Sequence, residues 1–211
     1  MKLTCPRGRH VSDNEFYWAL GCLDAGVKSS TDGGDAAAVA ARTFESWPPA
    51  QAALQATPAG SVLQQRIVDR PPLRPQALRD AGCVTLLGDA LHAMIPSLGH
   101  GATSALEGAL ELAQCLASAV AAEGDAQNRG PLLQAALRRY EAARLARVSA
   151  IQLRSHTFGA ASYGLEDATA PVEAAATTEP MRLDDAAFND WLLGYASPHA
   201  EAMPVHTELR V

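Results

Sequence analysis

Residues 83–116 read CVTLLGDALHAMIPSLGHGATSALEGALELAQCL, and this stretch decides the fold class. Cys83–Leu87 is a short continuous apolar run that ends in Gly88-Asp89. Such a run fits a strand covered on both faces, as in an α/β sheet. A loop containing Pro96, Gly99 and Gly101 follows. From Ala102 to about Ala122, Leu106, Ala109, Leu110, Ala113 and Leu116 recur at helical spacing, and Gly124-Asp125 ends the helix. The expectation is strand–loop–helix, with Val84–Leu87 central in a sheet.

Pro131 sits at a favourable first-turn position for a second long helix running to about His156. Leu133, Leu137, Tyr140, Val148 and Ile151 can share its buried side. Arg138, Arg139, Arg144, Arg147 and Arg154 read as a solvated face opposed by Glu141 alone. Beyond Gly159 the composition changes. Residues 166–180 (EDATAPVEAAATTEP) are acidic, alanine-rich and unpatterned, the signature of a flexible tail. Phe188–Tyr195 is an isolated apolar patch expected to dock back on the body. Upstream, Phe16–Leu20 reads as a strand whose aromatic residues either pack in the core or line a pocket, with core packing favoured. Residues 25–35 are a loop by composition. Ala36–Phe44 is an expected helix capped by Asp35, and Ala50–Gln55 a shorter one. Val62–Asp69 is an expected strand stopped by Pro71-Pro72.

The chain has 211 residues, 48% of them apolar, enough for a real core. Its net charge of −6 argues against a nucleic-acid binder, which would show a basic surplus. No apolar run approaches the length of a membrane helix, and residues 1–10 lack the apolar core of a secretion signal. An intracellular soluble protein, cytoplasmic by default, is expected. Cys5, Cys22, Cys83 and Cys115 form no C-x-x-C pair, and the six histidines are scattered, so no metal site is expected. The H-E-x-x-H, G-x-S-x-G and P-loop motifs are absent.

The Gly88-Asp89 to Gly99-x-Gly101 arrangement has a physical use. An aspartate at the carboxyl end of a buried strand can accept hydrogen bonds from ribose or polyol hydroxyls. Two glycines before a helix let backbone amides approach a ligand without Cβ interference. The helix N-terminus adds about half a positive charge there. The alternative is that Asp89 ends a strand and the glycines make a tight turn. His92 reads as a packed structural histidine, and His100 as either structural or near a ligand.

The segment Asp69-Arg70-Pro71-Pro72-Leu73 together with Val84–Leu116 resembles the FAD-dependent aromatic-ring hydroxylase and epoxidase family. Gly88, Asp89, Ala90, His92, Pro96, Gly99 and Gly101 match the family pattern G-D-A-A-H, P, G-Q-G in order and spacing. Weaker similarity extends over Ser12–Leu23 and Pro131–Ile151, and the p-hydroxybenzoate hydroxylase-like and zeaxanthin epoxidase-like branches are the relevant ones. The resemblance implies that Asp89 binds the ribityl chain of FAD. It implies that Gly99, Gly101, Ala102 and Thr103 surround the pyrimidine edge of the ring through backbone groups, with Pro96 near the reactive face. It further implies NAD(P)H as reductant, O2 as co-substrate and a small aromatic or isoprenoid-like substrate; no acid–base residue is assigned. For an epoxidase-like member the plastid is the alternative compartment.

The resemblance implies an α/β fold that corresponds to the C-terminal part of such an enzyme. Residues 1–79 would be a remnant of the substrate-binding region, 80–160 part of the FAD-binding domain, and 161–211 a tail with the docking patch near 188–195. The family's N-terminal βαβ unit, with its G-x-G-x-x-G that holds the pyrophosphate, has no counterpart in these residues. His100 stands where the family has glutamine, Gly108 where an acidic residue is usual, and Leu91 where a small alanine is usual; Leu91 is expected to crowd the turn. The chain is then a gene-model fragment, a degenerate copy, or a half-protein that works with a separate N-terminal half. A non-enzymatic interaction module is the alternative function.

Overall fold

The computed structural model describes residues 7–12, 15–22, 35–58, 60–78, 81–121, 129–163 and 184–198. The expected loop at 25–35 falls almost wholly outside them, and the expected flexible segment at 166–180 entirely so. The chain divides into two compact units, Met1–Ile67 with Ala160–Glu166, and Val68–Gly159 with Asp167–Val211.

In the first unit, β1 (Arg7–Ser12) pairs antiparallel with β2 (Glu15–Ala19). Arg7 lies opposite Ala19 and His10 opposite Phe16, and the register slips between His10 and Ser12. β2 was legible as an aromatic run; β1, with its arginines and histidine, was not. Two helices follow, α1 (Ala36–Thr43) and α2 (Pro48–Ala56). The Asp35 carboxylate accepts from the Ala37 amide at 2.9 Å and satisfies one of the orphan donors at the start of α1. Gln51 Nε2 donates to the carbonyls of Ala41 and Phe44, which ties α2 to the end of α1. Phe44 and Ala50 are buried there. The expected core role of Phe16 and Tyr17 is corrected, because both are exposed on β2. Only Trp18 is half-buried, donating through Nε1 to Thr57 at 2.9 Å.

Two expected strands are also corrected. Val62–Asp69 and Val84–Leu87 are not strands, and the β1–β2 pair is the sheet among the described residues. The physical reason is that an extended segment becomes a strand only when a neighbour supplies the ladder. Leu63, Ile67, Val68 and Val84 are exposed as a result. The expected α/β class is therefore met in part: the fold is mostly helical, with one two-stranded antiparallel sheet.

The second unit holds α3 (Asp89–His92), α4 (Gly101–Ala121), α6 (Asp185–Leu193) and most of α5 (Arg129–Tyr163). α5 runs through Gly159 rather than stopping near His156. A Cβ at Gly159 would stand 3.2 Å from Ile95, so glycine there lets the loop before Pro96 lie close against the helix. Leu137, Tyr140, Val148 and Ile151 are buried as expected, whereas Leu133 is not. α6 buries Phe188 and Leu192 against Ile151, capped by its N-terminal Asp184.

α4 is inside out. Ser104, Glu111, Gln114 and Cys115 are buried, while Leu106 is 73% and Val120 83% exposed, with Leu110 also exposed. Of the apolar stripe Leu106, Ala109, Leu110, Ala113 and Leu116, the first four are exposed and Leu116 alone packs against the core, so the stripe is not the buried face of the helix as a whole. Spacing locates a stripe but not what it faces. Here α5 packs on the opposite side, through Ala136 and Tyr140 against Cys115, and brings arginines for the carboxylates of α4.

Candidate functional site

The Gly88-Asp89 corner forms because Gly88 adopts φ 57°, a conformation costly for other residues, and its carbonyl then accepts from the amides of Leu91 and His92. These bonds close the single turn α3, which begins at Asp89. Leu91 does not crowd this turn, as its replacement of alanine led us to expect. It is 1% exposed, in a core cluster with Leu78, Leu145 and Val148. His92 is buried beside it, as expected of a structural histidine.

The loop after α3 is pinned at several points. Arg70 donates to the carbonyl of Ala90, and Gln152 of α5 donates to the carbonyls of Arg70 (3.3 Å) and Ala93 (3.0 Å). Ser155 donates to the Ile95 carbonyl, while Ser97 lies 2.9 Å from Ser155 Oγ. Asp69 meets His156 Nδ1 at 2.8 Å. The Asp69-Arg70 pair thus ties α3 and the loop after it to α5. A 3₁₀ turn, Pro96–Leu98, ends in Gly99 at φ 65°, the left-handed conformation that redirects the chain into α4. Ser104 donates to His100 O at 2.9 Å, so the amides of Gly101, Ala102 and Thr103 have no intrahelical acceptor.

Asp89, Met94, Pro96, Gly99, Gly101, Ala102 and Ala105 line one open cleft of about 600 Å³. Five of the six residues singled out from the sequence meet there. Thr103 does not line the cleft; its side chain is exposed, and only its place in the first turn of α4 associates it with the others. The Asp89 side chain is exposed as well. Nothing lies within 4 Å of a Cβ built on Gly99, and Met94 is 3.8 Å from one built on Gly101. The cleft thus has open backbone at its two glycines and also holds the Asp89 side chain and the N-terminal residues of α4. Among the described residues no lysine, arginine or histidine lines it. It suits the neutral ring and polyol end of a flavin and offers no cation to a pyrophosphate.

Behind the first turns of α4 lies a buried charge cluster. Arg147 holds Glu107 through two hydrogen bonds of 2.9 Å, and Arg144 reaches the same carboxylate at 2.9 Å. Arg144 is 0% exposed and also donates to Ser104 O at 3.1 Å. Arg138 pairs with Glu141, and Arg154 with Asp185. The reading of these arginines as a solvated face is thereby corrected for Arg144 and Arg147, which are buried, while Arg138 and Arg154 are half-buried and Arg139 stays exposed. Each has a structural partner, because the polar side of α4, the backbone of α4 and Val84, and the start of α6 face α5. The signal was present as Ser104, Glu107, Gly108 and Glu111 on one face of α4 and Arg144 and Arg147 one turn apart. What was not readable was that these two faces meet.

Burial pushes the Glu107 carboxyl up, but the hydrogen bonds and charges of Arg147 and then Arg144 outweigh it and hold its pKa below 4.5. Burial lowers the pKa of both His92 and His100, and the Arg144 charge works in the same direction at His92 and Arg147 at His100. Among the described residues, His92 Nδ1 and His100 Nε2 are buried with no hydrogen-bond partner of normal geometry. His100 does not line the cleft; Glu107 and Arg147 are the charges that act on it. Burial also raises the Tyr140 hydroxyl to about 12, where it donates to Leu86 O. Together with Arg138 donating to Val84 O, this bond holds the extended segment in place of a ladder.

The chain is 31% identical to aurachin C monooxygenase/isomerase of Stigmatella aurantiaca over 150 residues, which is 71% of this chain and 35% of that protein. It is 39% identical over 110 residues to the FAD-dependent monooxygenase dmxR9 of Cryptosporiopsis sp., covering 52% of this chain and 20% of the relative. It is 39% identical over 99 residues to chloroplastic zeaxanthin epoxidase of Oryza sativa subsp. japonica, covering 46% and 14%. The chain thus spans about a third or less of the length of these relatives. No family model and no solved structure matches it. Among the described residues no helix is long and apolar enough to cross a membrane. The comparisons lend no support to a non-enzymatic module. The homologues of this chain are FAD-dependent monooxygenases, and it is similar to a part of them.

Proposed function

We propose that the chain supplies part of the flavin site of an FAD-dependent monooxygenase that inserts one atom of O2 into an aromatic or isoprenoid-like substrate, with NAD(P)H as reductant. The observation that carries this reading is the convergence of Asp89, Pro96, Gly99, Gly101 and Ala102 on one cleft at the start of α4. Bound FAD would supply the redox and oxygen-activating chemistry. Asp89 would accept from ribityl hydroxyls, and the amides of Gly101, Ala102 and Thr103 would face electron-rich atoms of the ring. The partial positive charge at the N-terminus of α4 favours negative charge on a group held there. Pro96 and Met94 would exclude water from the ring. An intracellular place of action goes with this reading.

A separate unit completes the site in this proposal. FAD carries a pyrophosphate, and among the described residues no cation lines the cleft. The extended Val84–Leu87 segment, whose Thr85 and Leu87 have no backbone hydrogen bond among the described residues, offers an edge for a strand. The exposed apolar stripe of α4 offers a face to cover. A dinucleotide-holding α/β unit fits both. The test is titration of FAD into the purified chain, followed by flavin fluorescence, with and without such a unit, and then NAD(P)H oxidation. A chain that leaves flavin fluorescence unchanged in both cases defeats the reading.

A further inference from the structure

The residues after Asp184 hold the charge cluster behind α4 from the outside. Arg147 donates to the carbonyls of Trp191 (3.3 Å) and Leu192 (2.7 Å). Its guanidinium lies 4.7 Å from the Trp191 ring centre and 4.5 Å from that of Tyr195. Arg144 lies 4.9 Å from the same Tyr195 ring. Tyr195 in turn donates to Glu111 at 2.7 Å, and Ser197 donates to the same carboxylate at 2.6 Å. A guanidinium bonded along its edge and stacked on its faces has one orientation available, and here that orientation presents two donors to Glu107.

We propose that the Trp191–Tyr195 segment is a strap that positions the first turn of α4, through Arg147, Glu107 and Arg144, and so sets the shape of the cleft from behind. Each link is a direct contact. The strap orients Arg147, Arg147 fixes Glu107, and Glu107 balances the buried charge of Arg144. Arg144 then holds the carbonyl of Ser104, whose amide closes the first turn on His100. That turn carries the cleft-lining Gly101, Ala102 and Ala105. Loosening the strap releases Arg147 to water, leaves Glu107 mobile, and lets Arg144 abandon Ser104. Arg147, Glu107 and Arg144 are positioning residues, because none of them lines the cleft. The coupling stands on these contacts alone; its consequence for flavin rests on the function proposed above.

The test is amide hydrogen exchange on the full chain, with FAD titration beside it, in wild type, Trp191→Ala, Arg147→Lys and Trp191→Phe. Arg154→Ala is the control, since Arg154 meets α6 at Asp185 and Phe188, and Glu107 takes its ion pairs from Arg144 and Arg147. Trp191→Ala and Arg147→Lys should speed exchange at Ser104 and Ala105, the first bonded amides of α4, at least tenfold. Exchange in the buried middle of α5, at Ala150–Leu153, should stay as in wild type. Trp191→Phe keeps a ring under Arg147 and should restore most of the protection, which a general loss of packing would not. FAD affinity should fall in step with the exchange. Unchanged exchange at Ser104 and Ala105 in Trp191→Ala, with α6 itself exchanging faster, overturns the proposal. A uniform rise across α4 and α5 in both variants also overturns it. A wild type that binds no FAD defeats the flavin reading alone, and the exchange data then decide the strap.

Discussion

Replacing Asp89 by alanine separates a ligand role from a structural one, because among the described residues its carboxylate makes no hydrogen bond or ion pair and acts only through its charge on His92. The side chain is exposed. It opens a helix of only four residues, where a macrodipole contribution is small. Its removal should therefore change stability by no more than about 0.5 kcal/mol, as for a surface substitution. For a protein of this size that moves Tm by at most about 2 °C. If the carboxylate accepts from ribityl hydroxyls, a charge-assisted bond of about 1.5–3 kcal/mol is lost. FAD affinity should then fall by about one to two orders of magnitude. Asp89→Asn keeps an acceptor without the charge and should fall between. The assay is FAD titration followed by flavin fluorescence, on protein whose Tm has first been matched to wild type. Equal affinity in wild type and Asp89→Ala would refute the cofactor role; a large Tm loss would show that the corner needs the carboxylate for folding.

Gly108→Ala should raise Tm by about 2–4 °C, since a helix interior gains about 1 kcal/mol on replacing glycine. The new Cβ would stand 2.9 Å from Leu87 Cδ1, the free end of a flexible, exposed side chain that can swing aside; a lower Tm would mean that it cannot. Gly159→Leu should destabilise by about 1–3 kcal/mol and weaken flavin binding as well. The added bulk must push Ile95, whose two methyls already lie 3.2 and 3.3 Å from a Cβ there, toward the Pro96 side of the cleft, and a chemical melt beside the FAD titration checks both effects. The pH dependence has two stages. His92 and His100 are held below 6.5 in the folded chain, so their contribution is present above that value and lost as pH falls through the lowered pKa values. Glu107 is likewise depressed, so its contribution is complete above 4.5 and lost on further acidification. Urea melts carried from pH 8 down to about 2 should show both losses, and Glu107→Gln should lack the second.

The sequence by itself determined the local features. Asp35 capping α1 and the long apolar spacings of α4 and α5 act within a few residues, through backbone hydrogen bonds and helix periodicity, so neighbours in sequence suffice; Pro48 and Pro49, by contrast, open α2, which was expected to begin at Ala50. The cleft residues were legible for the same reason. Gly88, Asp89, Gly99 and Gly101 lie on one short stretch, and two of them need left-handed φ angles that glycine readily adopts. Only the tertiary structure decided which face of α4 is covered. Periodicity marks Leu106 and Leu110 as one stripe and Glu107 and Glu111 as another, but the burial of either depends on what α5 brings to it. Because Arg144 and Arg147 arrive on the acidic side, ion pairing in a low-dielectric interior turned an apparent surface stripe into the buried one. The same dependence on distant partners kept Val84–Leu87 extended but unpaired. A ladder is a property of two segments, and no single run of residues contains it.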